Sequence, residues 1–213
     1  MSSSGRVAGF VTVGYVLAGG ASSRFGRDKA LAQLDGKTML ARMCDLLRGA
    51  VGDVRVIAAS PNYEGQDAAI VPDQWPGEGP LGGIITGIED AAQRDPVATH
   101  CLIVSCDMPF LNAGWIAYLS VRAAASHAKI VVPRSEHGLE PLCASWRVTA
   151  AASLRQLFES GTRKVTEAFK HLDTEILDAA HWKRFDSAGR LFWNMNTPED
   201  YENALAAFAE ERK

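Results

Sequence analysis

Apolar residues along the chain follow two rhythms. Short, nearly continuous runs at Phe10–Leu17, Val54–Ala59, Ala69–Val71, Cys101–Ser105, Lys129–Val132 and Pro141–Trp146 predict buried strands. Between them lie segments of helical period. In Thr38–Ala50 the apolar positions Met39, Leu40, Met43, Leu46, Leu47 and Ala50 make one stripe, and Thr38 is suited to cap its start. Ile84–Ala92, Ala113–Ser126, Ala150–Glu159 and Glu199–Arg212 read as further helices. Strands without polar alternation are buried on both faces, so the expected architecture is a single α/β domain over residues 1–213 with a mostly parallel sheet between helical layers. Ligands in such folds sit beyond the carboxyl ends of the strands, and every candidate residue below follows a strand.

Composition narrows the function classes. With 22 Lys and Arg against 25 Asp and Glu, the net charge is −3, which argues against a nucleic-acid partner held by a basic surface. A small anionic ligand needs only a local cluster and stays open. A hydrophobic fraction of 47% excludes a disordered chain. Cys44, Cys101, Cys106 and Cys143 form no CxxC pair, which predicts reduced thiols and a cytoplasmic protein. The apolar stretch Val7–Ala18 is broken by Gly9, Thr12 and Gly14, so a strand is expected there and not a leader. No run reaches the roughly 18–20 apolar residues of a membrane span. The five histidines are scattered and read as structural or surface residues.

The first strand runs directly into Leu17-Ala-Gly-Gly-Ala-Ser-Ser-Arg-Phe-Gly-Arg-Asp-Lys29. Glycines there let backbone N–H groups approach an anion, and Arg24, Arg27 and Lys29 add positive charge, a combination suited to a triphosphate. A surface turn with solvated cations is the plain alternative. Gly36-Lys37-Thr38 has the ending of a Walker A loop, but the required first glycine falls on Leu31. Gly14, Gly19 and Gly20 do not have dinucleotide-fingerprint spacing either.

Further along, Val71-Pro72-Asp73 precedes Gly79-Pro80-Leu81-Gly82-Gly83. Asp73 could accept hydrogen bonds from a base or ribose, or simply close a surface turn. Cys106-Asp107-Met108-Pro109-Phe110 sets a carboxylate at a strand end, where Mg²⁺ would take one or two carboxylates together with substrate phosphates; a helix cap is the alternative. Cys106 reads as a packing residue. Asn194-Met195-Asn196-Thr197-Pro198-Glu199 combines two neutral hydrogen-bonding groups with a good cap and a good first helical residue.

The first loop, with the Gly79-Pro80-Leu81-Gly82-Gly83, Cys-Asp-Met-Pro-Phe and Asn-Met-Asn-Thr-Pro-Glu motifs, resembles the molybdenum cofactor guanylyltransferases of the nucleotidyltransferase superfamily. Phe25 replaces a commoner methionine. The likeness spans about residues 10 to 208 and implies a Rossmann-like three-layer sandwich. It further implies transfer of GMP from GTP to the terminal phosphate of molybdopterin, with Mg²⁺ as cofactor. Carried over residue by residue, it assigns GTP contacts to Leu17, Ala18, Gly19, Gly20, Ser22, Lys29, Asp73, Gly79, Leu81 and Asp107. Catalytic roles fall to Arg24, Lys29 and Asp107, the metal to Asp107, and acceptor contacts to Arg163, Lys164, Asn194 and Asn196. The nucleotide half would be about residues 10–110 and the acceptor half about 111–213. A monomer in transient contact with cofactor-inserting proteins or molybdoenzymes is implied, with no nucleic-acid or membrane partner.

One departure stands out. Family members often place an asparagine after the second strand, where this chain has Ala58-Ala59-Ser60-Pro61-Asn62, leaving that base contact to Ser60 or Asn62 or to neither. A related transferase using CTP or a sugar phosphate, and a non-catalytic nucleotide or cofactor carrier, are the alternatives.

Overall fold

A computed structural model describes residues 11–19, 28–60, 63 and 68–210. The first strand, β1 (Thr12–Leu17), lies inside the main sheet, and the chain adds strands on both sides of it. After a short 3-10 turn at Lys29–Leu31, β2 (Gln33–Leu34) and β3 (Lys37–Thr38) form a small separate hairpin. Helix α1 (Met39–Val51) follows, its start fixed by Thr38, whose Oγ1 accepts the Ala41 N–H at 3.1 Å. Lys37 is drawn to Asp45 at 2.6 Å, so the Walker-like tripeptide has a structural use.

The chain then runs through β4 (Val54–Ala58), β5 (Ala69–Pro72), α2 (Pro80–Arg94) and β6 (His100–Ser105). Beyond these come α3 (Ala113–Ala125), β7 (Ile130–Ser135), β8 (Gly138–Leu139), β9 (Cys143–Arg147) and α4 (Ala151–Glu159). The last elements are α5 (Val165–His171), β10 (Thr174–Leu177), α6 (Ala179–Trp182) and α7 (Pro198–Glu210). The strand order is β10-β7-β9-β6-β1-β4-β5, with β8 paired to β7. All pairs along that order are parallel except those of β9, which runs antiparallel to both β6 and β7.

One core lies between the sheet and α1 and α3, the other between the sheet and α2, α4 and α5. A third, smaller cluster joins the β2–β3 hairpin to α7 through Leu34, Met39, Met195 and Ala204. The expected three-layer α/β sandwich is therefore observed. Among the described residues no helix is long and apolar enough to cross a membrane.

The register fixes the site. Leu17 stands opposite Ile57 on one side and Ser105 on the other, and Ala58 opposite Pro72. Four strand ends thus finish level at one edge, and the residues just past them face a common space. The chain builds outward from β1 through β4 and β5, then returns to the other flank with β6. That reversal of strand order opens a crevice at the carboxyl edge.

Most of the Gly79–Gly83 segment is helical. Helix α2 begins at Pro80 and not at Ile84, with Gly79 at φ 92° before it, so Gly82 and Gly83 sit inside the first turn. Glycines let α2 approach the sheet closely: a Cβ on Gly83 would come within 3.2 Å of Leu17 Cδ2, and one on Gly87, a turn later, within 2.8 Å of Ile57 Cδ1.

Candidate functional site

The crevice is a cleft of about 370 Å³. Leu17, Ala18 and Gly19 line it from β1, Asp73 from β5, Gly79 and Gly83 from the start of α2, and Ser105, Cys106 and Asp107 from β6. The 3-10 turn adds Asp28 and Lys29.

Its charged centre is a triad of Lys29, Asp107 and Asn196. Lys29 Nζ donates to Asn196 Oδ1 at 2.7 Å and lies 3.6 Å from Asp107 Oδ2. These side chains come from residues 167 and 78 positions away from the lysine. They meet because the Met195 N–H donates to the Asp107 carbonyl at 2.8 Å, tying the segment before α7 to the end of β6. That segment is itself braced. Asp200 Oδ2 accepts the Asn196 and Thr197 N–H groups, both at 2.8 Å, while Thr197 Oγ1 accepts the Asp200 N–H at 3.1 Å. These bonds, with Lys29 nearby, hold the Asp200 carboxyl below its usual range despite the cost of burial.

Asp107 Oδ1 is buried with no hydrogen-bond partner among the described residues. A buried carboxylate oxygen left unsatisfied in the protein is where a cation would bind. Among the described residues no three His, Cys, Asp or Glu side chains converge. A single carboxylate facing an open cleft suits Mg²⁺, which takes one or two carboxylates and completes its shell with substrate phosphates and water.

Asp28 also lines the cleft, but both its oxygens are engaged: Oδ1 accepts the Ala30 N–H at 2.9 Å and Oδ2 the Tyr63 hydroxyl at 2.7 Å. Burial, reinforced by this carboxylate, pushes the Tyr63 hydroxyl far above its ordinary range, so it stays a proton donor. Asp28 therefore shapes the turn that presents Lys29. Cys106 is buried, and burial with the neighbouring Asp107 and Asp28 charges raises its thiol well beyond nucleophilic use.

The structure refines several expected contacts. The Ala18 N–H is already donated to the Ile57 carbonyl at 2.9 Å, so Ala18 lines the cleft without that donor. Gly19 follows at φ 131°, where glycine is required to turn the chain. Gly20, Ser22 and Arg24 lie outside the described residues, as does Asn62. Asp73 faces the cleft while Oδ1 accepts the Trp75 N–H at 3.0 Å. Leu81 is wholly buried among α2 core residues, and only its backbone can serve a ligand. Just past β4, Ala59 lines the cleft without a polar side chain.

The four residues assigned to the acceptor fall on two sides. Asn196 stands at Lys29, and Asn194, whose Nδ2 donates to the Phe192 carbonyl at 3.2 Å, is in the same segment. Arg163 is instead on the α2–α4 side. Its Nε donates to Glu78 Oε2 at 2.6 Å, Nη1 to the Phe158 carbonyl at 2.7 Å, and the guanidinium covers the Phe158 ring at 4.0 Å. That pins the Gly77–Gly79 turn. Lys164 precedes α5 and is exposed. Asp28, Tyr63 and Ser105 gain site roles that sequence reasoning did not assign; the one available signal was Asp28, adjoining Lys29 in the first loop.

The chain is similar to known proteins in sequence and in fold. The MobA-like NTP transferase domain family matches residues 14–175. The molybdenum cofactor guanylyltransferase of Desulfosudis oleivorans is 31% identical over 91% of this chain and 94% of its own length. That of Rhizobium johnstonii is 35% identical over 90% of each chain. The crystal structure of molybdopterin-guanine dinucleotide biosynthesis protein A from Archaeoglobus fulgidus superposes with a TM-score of 0.76 at 21% identity, over 94% of this chain and all of that one. With the family match covering most of the chain and the level strand ends presenting Lys29, Asp73 and Asp107 to one cleft, the chain belongs to the MobA-like NTP transferases.

Proposed function

We propose that this protein is a molybdenum cofactor guanylyltransferase, moving GMP from GTP to the terminal phosphate of molybdopterin and releasing pyrophosphate. The observation that carries the reading is the Lys29–Asp107–Asn196 group at the carboxyl edge, in a chain about a third identical to guanylyltransferases over nine-tenths of its length.

The reaction is an in-line displacement. An oxygen of the acceptor phosphate attacks the α-phosphorus of GTP, a new phosphoanhydride forms, and the α–β bond breaks with its electron pair leaving on pyrophosphate. That nucleophile is already ionised near neutral pH, so no protein base has to remove a proton. The protein positions the two phosphates and offsets their charge. Lys29, held by Asn196, places its ammonium at the leaving phosphates, with Arg24 and the Gly19–Gly26 backbone as further donors. Asp107 would hold Mg²⁺ through Oδ1, the metal neutralising phosphate charge when bound. Asp73 and the Gly79–Gly83 turn receive the nucleoside end, with Arg163 steadying that turn.

Buried cysteines that form no disulfide among the described residues suit the cytoplasm, and a monomer that passes its product to cofactor-inserting proteins or molybdoenzymes fits the reading. The test incubates the protein with Mg²⁺, molybdopterin and each of GTP, CTP, ATP and UTP while following pyrophosphate. Preference for GTP is expected. Preference for CTP would reassign the base, and release with none of the four would refute transferase activity.

A further inference from the structure

A second cavity of about 280 Å³ lies on the same edge of the sheet as the cleft, where β7 ends at Ser135 and the chain beyond β10 enters α6. Strand β7 runs parallel to β6 because both are antiparallel to β9, so the two cavities open at equivalent strand ends. The second cavity is walled by aromatic rings. Trp182 and Phe192 pack edge to face with centroids 5.3 Å apart, and the Trp182 Nε1–H donates to the Arg134 carbonyl at 2.9 Å, which fixes that wall. Trp193 is 40% exposed, a large ring left open on a face where such residues are usually covered. At the rim stand Glu136 and Lys183, which make no side-chain hydrogen bond or ion pair among the described residues.

Rigid aromatic walls with a carboxylate and a cation at the mouth match a flat, polar heterocycle: the rings stack, and the carboxylate accepts from adjacent ring N–H and amino groups. Guanine and a pterin share that hydrogen-bonding edge. Position separates them. Trp193 is three residues before Asn196, a reach of at most about 10 Å, and its ring lies 5.7 Å from that of Phe110, three residues after Asp107. The Trp193 wall of this cavity thus adjoins the two segments that carry Asn196 and Asp107. The nucleoside end of the cleft, at Asp73 and Gly79, is instead formed from the other flank of β1.

We infer that the cavity between Trp193, Phe192 and Glu136 binds the pterin ring of the acceptor, with Trp193 as its stacking face. This rests on the guanylyltransferase reading, and the experiment separates the two. Free 6-hydroxymethylpterin is titrated with protein by fluorescence anisotropy, alongside the KM values for molybdopterin and GTP, in wild type, Trp193→Ala and Glu136→Gln. Expected are pterin binding in the wild type, a loss of about tenfold or more in Trp193→Ala, as for a stacked base, and a smaller loss in Glu136→Gln. The molybdopterin KM rises in parallel while the GTP KM is unchanged. Because Glu136 is exposed, its variant folds normally even if Trp193→Ala loosens the Phe110 contact. Pterin binding indifferent to both variants, or absent in protein that turns over molybdopterin, overturns the inference. So does GTP competing for the same variant-sensitive site. Variant-sensitive pterin binding in protein that transfers no nucleotide would uphold the subsite and refute the transferase reading.

Discussion

Asn196 has a calculable task, keeping Lys29 off Asp107. The ammonium sits 2.7 Å from Asn196 Oδ1 and 3.6 Å from Asp107 Oδ2, with the Lys29 and Asp107 side chains 17% and 19% exposed. In Asn196→Ala the lysine loses its neutral acceptor and closes on the carboxylate to the ~2.8 Å of a direct charge-assisted bond. At an effective dielectric of about 20 the attraction grows from about 4.6 to about 5.9 kcal/mol, a gain of about 1.3 kcal/mol. A cation at Asp107 must work against that gain, so Mg²⁺ binding weakens close to tenfold. The half-saturating free Mg²⁺ for pyrophosphate release, measured at saturating GTP and molybdopterin, therefore rises about tenfold, and excess Mg²⁺ recovers most of kcat. Mn²⁺ binding followed by electron paramagnetic resonance in the presence of GTP weakens by the same factor without reference to turnover. An unchanged metal requirement together with a lower kcat would refute the reasoning and make Asn196 a direct substrate contact.

Other consequences are as specific. Lys29→Ala and Asp107→Ala each lower turnover by orders of magnitude while the circular dichroism spectrum stays native, and near-normal turnover in either removes that residue from the mechanism. Arg163→Ala frees the Gly77–Gly79 turn from its tie to Glu78. Since exposed pairs contribute up to about 1 kcal/mol, the GTP KM rises up to about fivefold with the molybdopterin KM unchanged, whereas an acceptor contact gives the opposite split. Gly87→Ala sets a Cβ 2.8 Å from Ile57 Cδ1 and 3.3 Å from Tyr15 Cγ, so overpacking costs about 1–3 kcal/mol and the Tm falls by about 2–4 °C per kcal/mol; an unchanged Tm would show that the sheet gives way freely. Burial, aided by the Arg147 cation, pushes His100 down to about 4. The unfolded chain then holds the extra proton, so the His100 contribution is complete above about pH 6.5 and is lost as pH falls through about 4, up to about 3 kcal/mol. Denaturant midpoints at pH 7 and 4.5 fall less in His100→Gln than in wild type, and equal declines would place the acid sensitivity elsewhere.

The elements legible in the sequence were those whose burial is complete. Strand β6 is buried at every position and α1 has one clear apolar stripe with a threonine cap, so each carries its signal locally. Strand β10 escaped because it is four residues long at the sheet edge, with a half-buried Thr-Glu start and an exposed Ile176. The seven-residue α5 is too short for a period to emerge. The antiparallel course of β9 has no local signature, since a strand buried on both faces reads the same in either direction. Gly83 and Gly87 let α2 lie against Leu17, Ile57 and Tyr15, a packing role that nothing in the local sequence marks.

The site was legible as motifs but not as an arrangement. Lys29, Asp107 and Asn196 could each be named from motifs and the family resemblance these carry, but their contact depends on the Met195–Asp107 backbone bond, a pairing across 88 positions. The same limit explains the two acceptor candidates that parted. Arg163 and Asn196 are both polar residues in the carboxyl-terminal part of the chain, and sequence alone gives no reason to separate them. The sheet separates them, because α4 packs on the α2 face while the segment before α7 is tied to the end of β6. One residue therefore steadies the Gly77–Gly79 turn, and the other holds Lys29 beside Asp107. Each flank of β1 carries one side of the cleft, and Lys29, at the first turn after the central strand, lies between them.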